Sequence, residues 1–167
     1  MKLHRRRILV AIAAVGALIG TTLIVVPALA TPPSGVTSTT IAQGILDPIK
    51  TRSKIGDWEV EIETRGQSNL VVVENRVAPG GDFGWHSHPG PSLVIVKSGT
   101  ATFYRGDDPT CTPKVYEQGD AFADPTGGVV HIVRNEGDTE LVVIVTRLLA
   151  PGVPGRIDEP SPGNCSF

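Results

Sequence analysis

The sequence predicts an all-β protein made of many short strands. Short apolar and β-branched runs recur at regular spacing, and glycine, proline, asparagine or aspartate closes most of them. Residues 58–63 alternate strictly between apolar residues and glutamates, which is the period of a β-strand. No stretch after residue 30 keeps a helical period. Many short strands of this kind favour a closed or double-sheet β architecture.

The first thirty residues have the composition of a secretory signal peptide. Lys2 and Arg5 to Arg7 form a basic start, residues 8–26 form an apolar run, and Ala28-Leu29-Ala30 resembles a cleavage site. We therefore expect a secreted or extracytoplasmic protein that is cleaved near Ala30. The apolar run is close to the length that spans a bilayer. An uncleaved membrane anchor is the alternative, and it would be the chain's only contact with a membrane.

The charge balance argues against a nucleic-acid partner. The whole chain carries 15 basic and 17 acidic residues, a net charge of −2. Cleavage after Ala30 would remove four basic residues and no acidic ones, which would make the mature protein more acidic. Proteins that bind nucleic acid need clustered positive charge to neutralise phosphates, and no basic run is present outside the leader.

The remaining chain reads as one domain between an N-terminal arm and a tail. Residues 31–52 are predicted to be a linker and arm, because 31–40 are rich in Thr, Ser, Pro and Gly. Residues 41–46 suggest an edge strand or an arm that lies on a partner subunit. Residues 53–150 are predicted to form the β domain. Its expected strands are 58–63, 70–77, 93–97, 100–104, 114–118, 129–134 and 139–148.

Two details of the strand pattern make testable expectations. In residues 58–63 the apolar residues should face a core and the glutamates should face water. The run 70–77 should end at the turn formed by Ala78-Pro79-Gly80-Gly81.

Three histidines lie outside the leader, and their spacing indicates a metal site. His86 and His88 are two residues apart, so an extended backbone points both to the same face. His131 can meet them from another strand. Neutral imidazole nitrogens bind zinc, copper, iron and nickel. We therefore predict His86, His88 and His131 as metal ligands.

The residues around these histidines resemble the two motifs of the cupin superfamily. The first motif, Gly-x5-His-x-His-x3–4-Glu-x6-Gly, is matched by Gly80, His86, His88 and Gly99, with Ser92 where glutamate is expected. The second motif, Gly-x5-Pro-x-Gly-x2-His-x3-Asn, is matched by Gly119, Pro125, Gly127, His131 and Asn135, with Gly128 as one extra residue. The chain is thus similar to small single-domain cupins. The resemblance implies a jelly-roll β-barrel.

The resemblance also implies a class of function. It suggests a divalent transition metal as cofactor (Fe, Mn, Zn, Ni or Cu), a small-molecule ligand or substrate, and a homodimer. The expected activity is that of a metal-dependent oxygenase, dioxygenase-like, or a related small-molecule enzyme. The alternative is a non-catalytic module that holds a small ligand or a metal. Ser92 is interpreted as a hydrogen-bonding group behind the ligands or as a small residue that makes room.

The other polar residues near the motifs receive structural interpretations. Asp120 and Asp124 flank the second motif and are interpreted as turn or surface acids. Pro125 and Asn135 are interpreted as turn formers. Trp85 is next to His86 on the opposite face of an extended backbone, and we expect it to point away from the metal.

The two cysteines, Cys111 and Cys165, predict a disulfide and an oxidising compartment. Such a bridge would tie residues 151–167 back to the loop around Asp108. Two unpaired thiols, or Cys111 as a metal ligand, are the alternatives.

Overall fold

The computed structural model of the protein describes residues 29–167, which contain strands and no helix. The strands are β1 (Ser34–Leu46), β2 (Lys50–Ile55), β3 (Trp58–Glu63), β4 (Ser68–Asp82), β5 (His86–Ser87), β6 (Ser92–Ser98), β7 (Ala101–Arg105), β8 (Lys114–Tyr116), β9 (Ala121–Ala123), β10 (His131–Arg134), β11 (Leu141–Leu149) and β12 (Ile157–Asp158). Within this range no helix is long and apolar enough to cross a bilayer. The predicted leader falls almost wholly outside the described residues.

Ten of the strands form one antiparallel sheet that curves into a nearly closed barrel. Its main path runs β12-β5-β10-β4-β11-β6-β9, while β1 pairs with β4 and β7 lies between β10 and β8. This architecture confirms the predicted all-β jelly-roll class. The main core cluster fills the barrel interior, and among its members are Val77, Val96 and Leu141. These side chains are almost fully enclosed, so truncating Leu141 to alanine would leave a cavity and cost about 2–5 kcal/mol.

The predicted linker 31–40 is largely wrong, because most of it belongs to β1. This strand pairs with β4 from Ser34↔Asp82 to Leu46↔Ser68. The edge-strand interpretation of residues 41–46 agrees with the structure. Nearly all of β1 is exposed, which explains the error. An edge strand that buries no side chains can carry the same Ser and Thr residues as a linker.

Strand β3 has the predicted bounds but lacks the predicted buried face. It pairs only with β2, in a two-stranded sheet separate from the barrel. Both of its faces are exposed, with Trp58 58% accessible. Cross-strand pairs such as Lys50 with Glu63 line its acidic side. The alternation therefore predicted the strand correctly and its burial incorrectly.

Strand β4 continues through the expected turn at residues 78–81 and ends at Asp82. Gly80 has a φ of 75°, a conformation that glycine adopts without strain. At Gly81 a Cβ atom would lie 2.8 Å from the Ser34 carbonyl oxygen, so the close approach of β1 requires glycine there. These glycines bend the strand without ending it. Three residues then connect the end of β4 to His86.

The predicted Cys111–Cys165 disulfide is present. It attaches the C-terminal tail to the loop between β7 and β8. Beyond it, Phe167 stacks on Trp85 with the ring planes 7° apart, and the Arg134 guanidinium lies 4.0 Å from the centre of the Phe167 ring. The tail thus covers the outer side of the strands that carry the histidines.

Candidate metal centre

The structure brings the three predicted ligands together inside the barrel. His86 lies on β5, His88 follows that strand directly, and His131 begins β10, where it pairs with His86 across the sheet. All three side chains are buried, and His131 is 0% exposed. One ligand atom from each lies within 4.8 Å of the others. Two adjacent strands therefore build the cluster that the spacing predicted.

Hydrogen bonds to the backbone fix the orientation of each imidazole. Nδ1 of His86 lies 2.8 Å from the Gly84 carbonyl oxygen, Nδ1 of His88 lies 2.8 Å from that of Gly155, and Nδ1 of His131 lies 3.2 Å from that of Val129. A carbonyl oxygen can only accept, so each Nδ1 must donate its proton. In the neutral rings Nε2 then carries a lone pair. Backbone orientation of this kind is typical of metal-binding histidines.

Asp124 is part of the same cluster, which corrects its interpretation as a turn or surface acid. It follows β9 and is 7% exposed. One carboxylate oxygen lies 3.1 Å from His88 Nε2, and the other lies 3.5 Å from His131 Nε2. Neither nitrogen makes a hydrogen bond within the described residues. A buried carboxylate from the second motif therefore lies against two of the three histidines.

The two Asp124 oxygens thus face two ring nitrogens that have no hydrogen-bond partner in the described residues. Because Nδ1 of each ring donates to the backbone, Nε2 of His88 and Nε2 of His131 face the Asp124 oxygens as acceptors unless the ring gains a second proton. Only an added proton or a bound cation relieves that contact. The donor set of imidazoles and one carboxylate suits a divalent transition metal, so the residues fit the cofactor that the sequence suggested.

Burial keeps at least two of the rings in the form that binds metals. Removal from water, assisted by the nearby His131, lowers the pKa of His86 to about 2. The pKa of His131 is also lowered, mainly by burial, although the charge of Asp124 acts in the opposite direction. Both imidazoles are therefore neutral at neutral pH and need no deprotonation before they bind a metal.

The lowered pKa values predict that acid destabilises the metal-free protein. Between the ordinary histidine pKa of 6.5 and the value of about 2 in the folded state, the unfolded chain binds the proton and the folded His86 does not. Each such histidine removes up to about 1.4 kcal/mol per pH unit as the pH falls through this window. We expect urea unfolding to give a lower free energy at pH 5 than at pH 7.5. A His86→Gln variant should show a smaller difference, whereas equal differences would contradict the assignment.

The other residues predicted near the site have mainly structural roles. Ser92 is 1% exposed and its hydroxyl has no hydrogen-bond partner in the described residues, while its carbonyl oxygen accepts from the Asp124 N–H. Asp120 is a turn residue as interpreted, because it accepts a hydrogen bond from the Glu117 N–H. Asn135 closes the turn before β11 through bonds to Val77 and Thr139.

Two neighbouring aromatic residues also have defined places. Trp85 packs in a second core cluster with Tyr104 and Ile132, away from the histidines as expected. Phe103 stacks on the His131 ring, with centres 5.2 Å apart and planes 18° apart. This packing holds the His131 ring from the side opposite the cluster.

Arg147, Arg156 and Asn75 lie beside the cluster and were not predicted as site residues. Together with His86 and Phe83 they line a cavity next to β1. One signal for Arg147 exists in the sequence. In β11 the residues Leu141, Val143, Val145 and Arg147 alternate, which places an arginine in register with three core residues.

Comparisons with known proteins find cupin domains among those similar to this chain. The family model for the cupin domain matches residues 73–147, and no curated protein matches the chain. Similar solved structures include a cupin-like protein from Thermotoga maritima (27% identity, TM-score 0.47, covering 55% of this chain and 65% of that one). Others are a cupin domain from Bordetella pertussis (25%, 0.42, 62% and 95%) and an oxalate oxidase (24%, 0.45, 53% and 45%). The chain thus spans less than half of the oxalate oxidase.

Proposed function

We propose that this protein, whose residues 73–147 match the family model for the cupin domain, binds one divalent transition-metal ion through His86, His88, His131 and Asp124. The observation that carries the proposal is the convergence of imidazole nitrogens and a carboxylate with no donor between them. A buried carboxylate is costly unless a proton or a cation compensates it. The negative charge of Asp124 would in turn neutralise one of the two positive charges of the ion.

We further propose that the bound metal acts on a small molecule, as in a metal-dependent oxygenase or a related enzyme. When bound, such an ion supplies Lewis acidity and, for redox-active metals, reaction with dioxygen. The protein contributes fixed orientation. The three Nδ1 hydrogen bonds hold the rings, and the apolar barrel wall around Val94 and Val145 limits access of water.

The residues available for other chemistry are few. Outside the cluster, residues 29–167 contain no further histidine, and both cysteines are in the disulfide. Activity would therefore depend on the metal and not on a separate side-chain nucleophile. A non-catalytic metal- or ligand-binding module is the alternative. Oxygen uptake or product formation with small enolic, phenolic and thiol compounds, present only in reconstituted protein and abolished by chelation, would favour the enzyme.

The Asp124→Asn variant tests the carboxylate as a ligand. The change keeps the size of the side chain and removes its negative charge, so we expect metal affinity to fall by about tenfold or more. Competition with a chromogenic chelator measures this affinity. Asp120→Asn is the matched control, because Asp120 flanks the same motif but is exposed. Equal affinity of the Asp124→Asn variant and the wild type would show that Asp124 does not contact the metal.

We also propose that the protein works outside the cytoplasm and forms a homodimer. The disulfide is consistent with an oxidising compartment. Exposed apolar side chains on β1 and β3, including Ile45 and Trp58, are consistent with a subunit contact.

A further inference from the structure

The cavity next to β1 reaches the candidate metal centre from the side. Its volume is about 240 Å³, and its wall includes His86, one of the three histidines. Pockets that hold drug-sized ligands measure about 300–1,000 Å³, so this cavity suits a smaller molecule. Its polar wall consists mainly of groups that donate hydrogen bonds, namely Asn75, Arg147 and Arg156.

Arg147 is an inward-facing cation without an anionic partner. Its side chain makes no hydrogen bond or ion pair with any residue in 29–167, and its Nε atom is fully enclosed. Burial lowers its pKa, and the nearby charge of Asp124 compensates this only in part. Gly155 leaves room for the guanidinium, since a Cβ at that position would lie 2.9 Å from Arg147 Nη1. The fold therefore accommodates a desolvated charge that is left unpaired.

Asn75 adds a second unused donor to the same wall. It is 3% exposed, and its Oδ1 accepts a hydrogen bond from the Ser38 hydroxyl at 2.7 Å. Because Oδ1 is the acceptor, Nδ2 is the group that remains, and it has no partner in the described residues. A buried amide donor without an acceptor costs about 1–3 kcal/mol. Both unused donors line one cavity.

Arg156 contributes charge at the rim of this cavity. Its Nη1 donates to the Phe83 carbonyl oxygen and its Nε donates to Asp158, both at 2.7 Å. This guanidinium is therefore partly neutralised and held in place. The cavity wall thus carries two guanidinium groups and no carboxylate, and within the described residues only Arg156 is paired with one, that of Asp158 outside the wall.

We propose that this cavity binds a small carboxylate, with Arg147 and Asn75 as its principal donors and Arg156 as a supporting cation. This proposal names a substrate class for the proposed function. Any chemistry that follows binding rests on that function. The planar fork of a guanidinium matches a carboxylate with two parallel hydrogen bonds. Apolar side chains such as Val36 and Val73 complete the wall and suit a short hydrocarbon portion.

Binding of propionate and of its neutral isostere propionamide tests the proposal. Ligand-observed NMR would measure both affinities, with the metal-free protein and with the protein loaded with zinc. We expect propionate to bind at least tenfold more tightly than propionamide. Arg147→Gln should remove at least tenfold of the propionate affinity while zinc content stays at the wild-type level. Arg105→Gln is the control, because Arg105 is exposed and already paired with Asp107.

A second variant keeps the test decisive if Arg147→Gln does not fold. Asn75→Asp keeps the acceptor for Ser38 and replaces the free donor by a charged oxygen, so propionate affinity should fall by at least tenfold. Equal binding of propionate and propionamide, or full propionate affinity in a folded variant, would overturn the proposal. Phosphate that binds as tightly as propionate would overturn the carboxylate class.

Failure of the metal proposal gives a different result. Wild-type protein that takes up no zinc would contradict the proposed function. In that case, propionate binding to the metal-free protein that depends on Arg147 would still support the carboxylate site.

Discussion

The His131→Ala variant is expected to lose at least about 99% of the metal affinity of the wild type. His131 is fully enclosed, and its Nε2 faces both the other rings and Asp124. No other histidine in residues 29–167 can replace it. The variant would lose one of four proposed ligands, and the buried Asp124 carboxylate would be less well compensated. We therefore expect a larger loss of metal affinity than from replacing a residue that only hydrogen-bonds to a ligand. Elemental analysis after dialysis, together with chelator competition, measures the loss.

A matched variant separates loss of a ligand from loss of packing. Phe103 stacks on the His131 ring but offers no ligand atom, so Phe103→Leu should lower stability and retain most of the metal. If Phe103→Leu releases the metal as completely as His131→Ala, the cluster depends on general packing and not on ligation. Wild-type metal content in His131→Ala would refute the site.

The histidine cluster could be predicted from the sequence because a local rule determines most of it. In an extended backbone, residues at positions 86 and 88 share a face whatever surrounds them. Position 131 then needed only a strand at the right place in the second motif. Asp124 could not be found in this way. An aspartate next to a proline, as Asp124 is next to Pro125, is typical of a turn. The placement of Asp124 beside the histidines depends on the pairing of β9 with β6.

The inward orientation of Arg147 could not be predicted from the sequence either. Its position in the alternation of β11 could be predicted, but an arginine near the end of a strand usually extends its charged group to water. Whether the side chain points into a cavity depends on β1 and on the chain near Gly155, both distant in sequence. The exposed strands β1 and β3 show that composition predicts burial poorly at the edges of a sheet, where no second layer covers the strand.

Loss of the Cys111–Cys165 disulfide is also expected to have a large effect, on stability and on metal binding. The chain-entropy model gives about 4 kcal/mol for a loop of this length, with the two cysteines 54 residues apart. We expect Cys165→Ser to lower the free energy of unfolding by about 2–5 kcal/mol, measured by urea titration. Cys111→Ser should give a similar loss. A loss below about 1 kcal/mol would mean that native strain cancels the benefit of the bridge.

The same variant should also weaken metal binding, because the segment before Cys165 holds the ligand strand. Strand β12 pairs with His86 and Ser87, the Glu159 carboxylate accepts from the Ser87 hydroxyl at 2.8 Å, and the Gly155 carbonyl orients His88. Without the bridge only non-covalent contacts hold this segment, so the ligand rings should sample more orientations and affinity should fall severalfold. Glu159→Gln, which weakens one of these contacts and keeps the bridge, should have a smaller effect. If Cys165→Ser lowers stability but leaves metal affinity unchanged, the barrel alone positions the histidines.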